Sequence, residues 1–379
     1  MPERRYASIH VVGTNGKSSV TALAAALLER HGMAIGAYLS PHADRWSERV
    51  LVGGEEISAS AFAAAARRVA EAIPAVERRL ADDDVVTQFE AATATALTAF
   101  AAARVEVAVV EAGLGGRLDA TNVLPSRVTA LTSIGLEHTE YLGETELAIA
   151  AEKLAVLRDH SVLVVGRVSP EVAELARRTA SERSARLIDA SAPVEIPALA
   201  ARAPYLSRNL AVAVAAAGEL AKEPIGESDV RAAAEGARLR GRMEVRGHDP
   251  PVIRDSAHNP DGARALAEAL AEVAAGRPVV ACLAVLRGKD AAGMLKALAP
   301  AVDVAVCTQL PAADLEGAGR PGTEAIPACE LAAIAREAGM GAEEVADPSA
   351  AVARALGLAR ERDGVALVAG SHYLLRYGS

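Results

Sequence analysis

The sequence predicts an α/β protein of two domains, each built on a mostly parallel sheet. Three observations lead there. Short β-rich runs alternate with Ala- and Leu-rich helical segments, the pattern of repeated strand–helix–strand units. A charged stretch rich in Gly and Pro, "RLRGRMEVRGHDPP", interrupts the alternation, which then restarts. At 379 residues the chain is long enough to bury two cores. The interruption is read as a hinge, which gives a first domain of residues 1–240 and a smaller second domain of 241–379.

In the first domain the expected strands are "IHVV", "AIGAYL", "VEVAVVE", "VTALTSI" and "SVLVVG". Helices are expected over residues 17–31, 58–80, 90–103 and 144–157, with two more in "SRNLAVAVAAAGELA" and "SDVRAAAEGARL". Beyond the hinge the strands are "PVIRDSA", "RPVVACLAVL", "VDVAVCTQL" and "GVALVAGS", separated by helical pattern. Neither a repeat nor a low-complexity tract is evident beyond the alanine bias.

Composition excludes several classes. The best candidate for a membrane span, "ATATALTAFAAARVEVAVV", is broken by Arg104 and Glu106, and no membrane association is expected. The first residues lack a basic-then-apolar leader pattern, so a cytoplasmic location is expected. A net charge of −9 without a basic block argues against nucleic-acid binding. Cys282, Cys307 and Cys329 are scattered without metal-ligand spacing and are read as reduced, buried thiols.

The segment "HVVGTNGKSSVTAL" carries the first chemistry. An apolar strand ends in Gly13-Thr14-Asn15-Gly16, and Lys17, Ser18 and Ser19 open a helix, a shortened form of the phosphate-loop pattern. Glycines let the chain approach oxyanions, and amide N–H groups at the helix start point at phosphates. Lys17 supplies a mobile cation, and Ser18 or Ser19 a hydroxyl for phosphate or Mg²⁺. The plain alternative is a glycine turn with a Ser-capped helix. Strand before, helix after and lysine in register favour nucleotide binding.

Ligands of open α/β sheets gather outside the carboxyl ends of the strands. Three further stretches place polar groups there. "AYLSPHADRWSERV" ends a strand at Ser40, "VAVVEAGLGGRLDATN" at Glu111, and "LTSIGLEHTEYLG" has Glu137 and His138 just past its strand. Ser40 and Glu111 suit Mg²⁺, which takes a few protein oxygens plus phosphate and water. His138 is a less usual ligand for that ion. For a lone carboxylate such as Glu111, a helix cap is the competing reading.

Taken together, "GTNGKSS", "SPHADRWSERV", "EAGLGGRLDATN", "LTSIGLEHTEYLG", "AEKLAVL", "RGR", "DSAHNP" and "GKD" resemble, in order, the motifs of the Mur ligase superfamily and its folate branch, dihydrofolate synthase and folylpolyglutamate synthase. The closing "VAGSHYLL" is similar to that family's last strand and turn. The resemblance implies a P-loop Mur-ligase-type ATP-binding domain followed by a smaller Rossmann-like α/β domain. It implies ATP-dependent joining of L-glutamate to a pterin-linked carboxylate, dihydropteroate or folate, through an acyl phosphate with release of ADP and phosphate. It further implies ATP and Mg²⁺ as cofactors, two ions of the latter, with a monovalent cation possible, in a monomer that binds only small molecules.

By motif position, the resemblance gives ATP contacts to Gly13, Thr14, Asn15, Gly16, Lys17, Ser18, Ser19, Asn209, Arg242 and Asp255. Metal binding falls to Ser40, Glu111, His138 and Lys153. Lys153 matches a lysine that family members carry as a carbamate, which requires a neutral amine. Substrate contacts fall to Thr87, Gln88, Phe89 and Glu90, to Leu118, Asp119 and Ala120, and to His258 and Asn259. Lys17, Lys153 and His258 are the implied catalytic groups. Read without the resemblance, Lys153 is a helix lysine, Phe89 is core, and Asn259–Pro260 is a helix start. Contacts from both domains imply closure about the hinge.

The sequence departs from the family at several points. Ser18 stands where the folate branch usually has Gly, Ala43 where Leu is usual, Arg240 where Pro is usual, and "EKLAV" where "EKAGI" is common. Family members also carry a leading helical segment ahead of the phosphate loop, so either the start is truncated or the substrate side is more open. These departures bear on the acceptor. A Mur-type ligase for another carboxylate is the main alternative, with a P-loop kinase or ATPase, or a non-catalytic nucleotide binder, behind it.

Overall fold

The computed structural model describes the chain apart from residues 43, 82–83, 197–198, 200–201, 238, 318–321 and 378–379, so the departure at Ala43 lies outside the described residues. Two compact units form: Met1–Ile196 with Leu206–Arg238, and Pro197–Tyr205 with Leu239–Ser379.

The first unit contains β1 (Ala7–Val12), α1 (Lys17–Arg30), β2 (Ile35–Tyr38), β3 (Val50–Val52), β4 (Glu55–Glu56), α2 (Ala59–Glu77), α3 (Gln88–Ala103) and β5 (Val107–Glu111). It continues with β6 (Val128–Leu131), α4 (Thr139–Leu142), α5 (Glu146–Leu154), β7 (Val162–Val165), α6 (Pro170–Glu182), β8 (Arg186–Asp189), most of α7 (Pro204–Gly218), and α8 (Glu227–Gly236). Sheet order is β4-β3-β2-β5-β1-β6-β7-β8. All neighbours are parallel except β3, which pairs antiparallel with both β2 and β4. Because helices cover both faces, β5 is buried along its whole length as "VAVVE", an apolar run without alternation. The carboxylate ending that run is the exception that the site uses.

Local chemistry sets the helix starts. Ser58 Oγ accepts from Ala61 N at 3.2 Å ahead of α2. Thr87 and Glu90 form a reciprocal capping box ahead of α3, Thr87 N–H donating to Glu90 Oε2 at 2.8 Å and Glu90 N–H to Thr87 Oγ1 at 3.2 Å. The helix therefore begins at Gln88, two residues before the expected 90. The core beneath α2 and α3 is built on Tyr38, Leu97, Phe100, Val110 and Leu124. Gly36 on β2 lets the Phe100 ring lie directly on the sheet, since a Cβ there would be 2.5 Å from Phe100 Cδ1.

The second unit holds β9 (Glu244–Arg246), β10 (Val252–Arg254), α9 (Pro260–Ala274), β11 (Val279–Leu283), α10 (Ala291–Leu298), β12 (Val304–Cys307), α11 (Ala312–Gly317), α12 (Ala328–Glu337), β13 (Gly341–Glu344), α13 (Pro348–Glu361) and β14 (Val365–Ala369). Its order is β13-β12-β11-β14-β10-β9, parallel except for β9 against β10. The stretch read as a hinge thus includes an edge strand, β9. It and β13, "GAEE", escaped the sequence reading because an edge strand open to solvent needs no apolar pattern. Cys282 and Cys307 lie buried on neighbouring strands as expected. Cys329 is exposed, a correction to the expectation of three buried thiols: it lies in the first turn of α12, on the solvent side. Among the described residues, no helix is long and apolar enough to cross a membrane.

Replacing Gly36 by Ala should lower the unfolding free energy by about 1–3 kcal/mol through overpacking on Phe100. Phe100→Leu in the same chain should recover part of that loss, because the smaller side chain can turn aside. Urea unfolding of the single and double variants checks this; a Gly36→Ala chain as stable as the parent contradicts it.

Candidate functional site

The phosphate loop takes its shape from its two glycines. Gly13 has φ +151° and Gly16 φ +87°, and Gly16 caps α1 in the left-handed region. A Cβ on Gly13 would fall 2.0 Å from Thr132 Oγ1, and one on Gly16 would fall 2.5 Å from Asn209 Oδ1. Asn209 on α7 therefore faces this loop. The loop is tied to the segment after β6: Thr14 N–H donates to Ser133 O at 2.8 Å, and Thr132 Oγ1 donates to Asn15 O at 2.6 Å. Thr14 Oγ1 and Gly135 exchange contacts at 3.1 Å. Thr132 and Ser133 were not singled out from sequence; their signal was a polar pair ending an apolar strand.

Lys17 Nζ donates to Gly13 O and Thr14 O, each at 3.0 Å, so its charge rests on two neutral carbonyls that a phosphate oxygen would outbid. Ser18 Oγ donates to Glu111 Oε1 at 3.0 Å, and the Ser40 N–H donates to Glu111 Oε2 at 3.0 Å. The start of α1, the segment after β2 and the end of β5 thus meet at one carboxylate, which is 2 % exposed. Of the two candidate hydroxyls, Ser18 reaches this carboxylate, whereas Ser19 is buried with its Oγ unpartnered.

Beyond Glu111 the chain turns through Gly113–Gly116. Asp119 Oδ2 accepts from Gly113 N at 3.0 Å and Leu114 N at 2.8 Å, closing that turn. Gly116 packs on the end of α5, where a Cβ would be 2.9 Å from Lys153 O. Lys153 is 5 % exposed. Burial, and then the Lys17 ammonium, push its amine down from 10.5 to about 7, against the pull of Glu137, Asp119 and Glu152. A substantial fraction of the amine is therefore neutral near pH 7, the form that carbamate formation requires. His138 takes φ 51° ahead of α4, its Nε2 and Nδ1 each 3.7 Å from carboxylate oxygens of Glu137 and Glu140 respectively.

The expected acceptor segment has a double character. Thr87, Gln88 and Glu90 are exposed. Phe89 is half-buried over Gly113, whose Cβ would be 2.3 Å from Phe89 Cζ, and its ring centroid lies 6.3 Å from that of Tyr38. Packing against the core thus accounts for part of this ring. Leu118 is 92 % exposed, while Asp119 is buried in the turn; Ala120 opens a short 3-10 helix.

In the second unit, Asp255 follows β10 with both oxygens engaged. Oδ2 accepts from Met243 N at 2.9 Å and the Tyr205 hydroxyl at 3.0 Å, and Oδ1 accepts from Ala257 N at 2.9 Å. Tyr205 was not foreseen; burial and the Asp255 charge raise its pKa. Arg242 Nη1 donates to Gly241 O at 3.0 Å in the same turn. Asn259 Oδ1 accepts from Gly262 N at 2.7 Å and caps α9, with Pro260 opening the helix. His258 Nδ1 lies 2.8 Å from Ser256 O. A carbonyl only accepts, so Nδ1 carries a proton.

Ser18 and Glu111, with Ser40 beside them, form an oxygen-only set that fits a hard divalent cation completed by phosphate and water. Among the described residues, no three His, Cys, Asp or Glu side chains are grouped to hold a metal by themselves.

Residues 11–192 match the Mur ligase middle domain, and residues 241–372 match the Mur ligase, glutamate ligase domain. The chain is 33 % identical over 345 residues to the dihydrofolate synthase/folylpolyglutamate synthase of Mycobacterium tuberculosis, spanning 81 % of this chain and 71 % of that protein. Among solved structures it is similar to the Mycobacterium tuberculosis folylpolyglutamate synthase complexed with ADP, with TM-score 0.89 and 30 % identity over 99 % of this chain and 90 % of that one. It is also similar to a bifunctional folylpolyglutamate synthase/dihydrofolate synthase from Yersinia pestis complexed with AMPPNP and a Mn ion, with TM-score 0.82 and 30 % identity over 99 % and 88 % of the two chains.

The depressed Lys153 pKa has a thermodynamic consequence. Between about 7 and 10.5 the unfolded chain holds a proton that the folded chain has released, so this group makes stability rise with pH through that window. In CO2-free buffer, Lys153→Met should be more stable than the parent below pH 7, and the difference should shrink as pH approaches 10.5. Urea unfolding across the window checks this; a difference independent of pH contradicts the buried, neutral amine.

Proposed function

The chain belongs to the Mur ligase family, in its dihydrofolate synthase/folylpolyglutamate synthase branch, and from that premise we propose an ATP-dependent ligase that joins L-glutamate to a pterin-linked carboxylate. The acceptor is dihydropteroate, a reduced folate, or both. One observation carries the reading: Ser18, next to Lys17 at the start of α1, and Ser40 after β2 both donate to the buried Glu111 that ends β5.

A carboxylate resists attack by an amine because its leaving group would be oxide. Transfer of the γ-phosphoryl to a carboxylate oxygen breaks the bond to ADP and gives an acyl phosphate. The glutamate nitrogen, having lost one ammonium proton, attacks the acyl carbon and forms the amide bond as the C–O bond breaks; phosphate leaves with that electron pair, and the nitrogen's second proton is released to phosphate or solvent. Mg²⁺, when bound at Ser40 and Glu111, would offset charge on the phosphates. The phosphate-loop amides and Lys17 hold the nucleotide and stabilise charge on the transferring group.

Gly13, Thr14, Asn15, Gly16, Ser18, Ser19 and Asn209 are assigned to ATP in the first unit, and Arg242 and Asp255 in the second, by family position. Asp255 is already committed to the Met243 turn, so its first task is to hold that turn. His138 and Lys153 are assigned to a second cation, Lys153 as its carbamate. His258 and Asn259 are assigned to the amino acid. The acceptor contacts are Thr87, Gln88, Phe89, Glu90, Leu118, Asp119 and Ala120. The alternative within the family is a different carboxylate acceptor, which Ser18 in place of glycine keeps in view.

ADP release by the pure protein with Mg²⁺ should require both glutamate and dihydropteroate or a reduced folate, with one amide product per ADP. Failure of all pterin acceptors while another acid works overturns the folate assignment; ADP release without glutamate points to a kinase or ATPase. Lys153→Ala should lose at least tenfold in kcat, with partial return on adding a short carboxylic acid. Full activity in that variant contradicts the carbamate role.

A further inference from the structure

His10 is fully buried in the middle of β1, two residues before the strand ends. Its Nε2 lies 2.7 Å from Thr121 Oγ1, which in turn donates a short hydrogen bond to Asp119 Oδ1. Asp119 Oδ1 also accepts from Thr121 N at 2.9 Å, and its other oxygen accepts from Gly113 N and Leu114 N. The direction of every proton follows. The carboxylate only accepts, so the single Thr121 hydroxyl proton goes to Asp119. Thr121 Oγ1 must then accept from His10, whose proton sits on Nε2. His10 Nδ1 is buried without a partner. Burial, aided by the Arg158 charge, pushes the ring's pKa down to about 3, so the imidazole stays neutral.

We propose that His10 is a positioning residue for the ligase reaction, acting through Thr121 and Asp119 to set the Gly113–Gly116 turn that links Glu111 to the seat of Lys153. The inference rests on the ligase reading but assigns a function to a residue that touches neither nucleotide nor acceptor. One end of the chain of bonds is fixed in the sheet. The other fixes two amides directly after the Glu111 strand end, and Gly116 in the same turn packs against the Lys153 backbone. Arg158 pins the adjoining segment independently, donating to Leu124 O at 2.9 Å and Asn122 Oδ1 at 2.9 Å. The phosphate loop is tethered separately, by Thr14, Thr132 and Ser133, so loss of the His10 path should leave nucleotide affinity alone.

Thr121→Val keeps the side-chain shape and removes the hydroxyl relay. Its expected signature is a kcat at least tenfold lower and a several-fold higher Mg²⁺ concentration for half-maximal rate, with KM for ATP within twofold of the parent. Thr121→Ser should restore the parent values, and His10→Gln, which keeps an N–H donor at the Nε2 position, should exceed His10→Leu in kcat. Unchanged Mg²⁺ dependence in a folded Thr121→Val chain, or equal losses in kcat and ATP affinity, overturns the proposal. Nitrogen-15 NMR of the histidines, assigned with His10→Gln, gives a test independent of activity. A neutral Nε2–H ring that does not titrate in the ordinary histidine range is expected, and a Nδ1–H tautomer or a charged ring overturns the relay. A parent chain without ligase activity would instead remove the functional reading and leave this NMR result standing.

Discussion

The Glu111 carboxylate is the constraint on which the rest of the site depends. It ends a strand that is buried along its length, and a charge there is tolerable only if donors are aimed at it. Two are supplied from neighbouring segments, the Ser18 hydroxyl in the first turn of α1 and the Ser40 amide just after β2. Parallel pairing of β1 and β2 with β5 brings these three ends to one edge of the sheet. The topology thus satisfies a buried charge and, by the same act, gathers the Ser18 hydroxyl and the Glu111 carboxylate at one edge of the sheet.

The two lysines near that carboxylate are treated oppositely. Lys17 stays at the loop on carbonyl partners, ready for phosphate. Lys153 is buried, and the Lys17 charge disfavours its protonation further. The difference is one of burial and neighbours: the Lys17 amine reaches two loop carbonyls, whereas the Lys153 amine is pushed toward its neutral form. Glycine turns make both settings possible: Gly16 admits Asn209 to the loop, and Gly116 admits the α5 backbone.

Much of this was legible in the sequence. The apolar runs of β1 and β5 and the glycines after them marked the strand ends, and Asn259-Pro260 marked a helix start that the structure shows. The polar edge strands β9 and β13 were not legible, because solvent exposure removes the apolar pattern that reveals a strand. Lys153 looked like any helix lysine until burial distinguished it; only a family resemblance had singled it out. His10 and Thr121 gave no signal at all, since their pairing crosses 111 residues of sequence and exists only once β1 is in the sheet. Tyr205 was missed for the same reason, being joined to Asp255 across 50 residues.

The central claim is that the γ-phosphoryl of ATP passes to a carboxylate oxygen of the acceptor before the amide forms. Dihydropteroate, or a reduced folate, labelled with oxygen-18 in the reacting carboxyl group tests it directly. The mechanism predicts one labelled oxygen in the released phosphate for each amide formed, and one retained in the amide carbonyl. Phosphate free of label, with ADP still released, would contradict it.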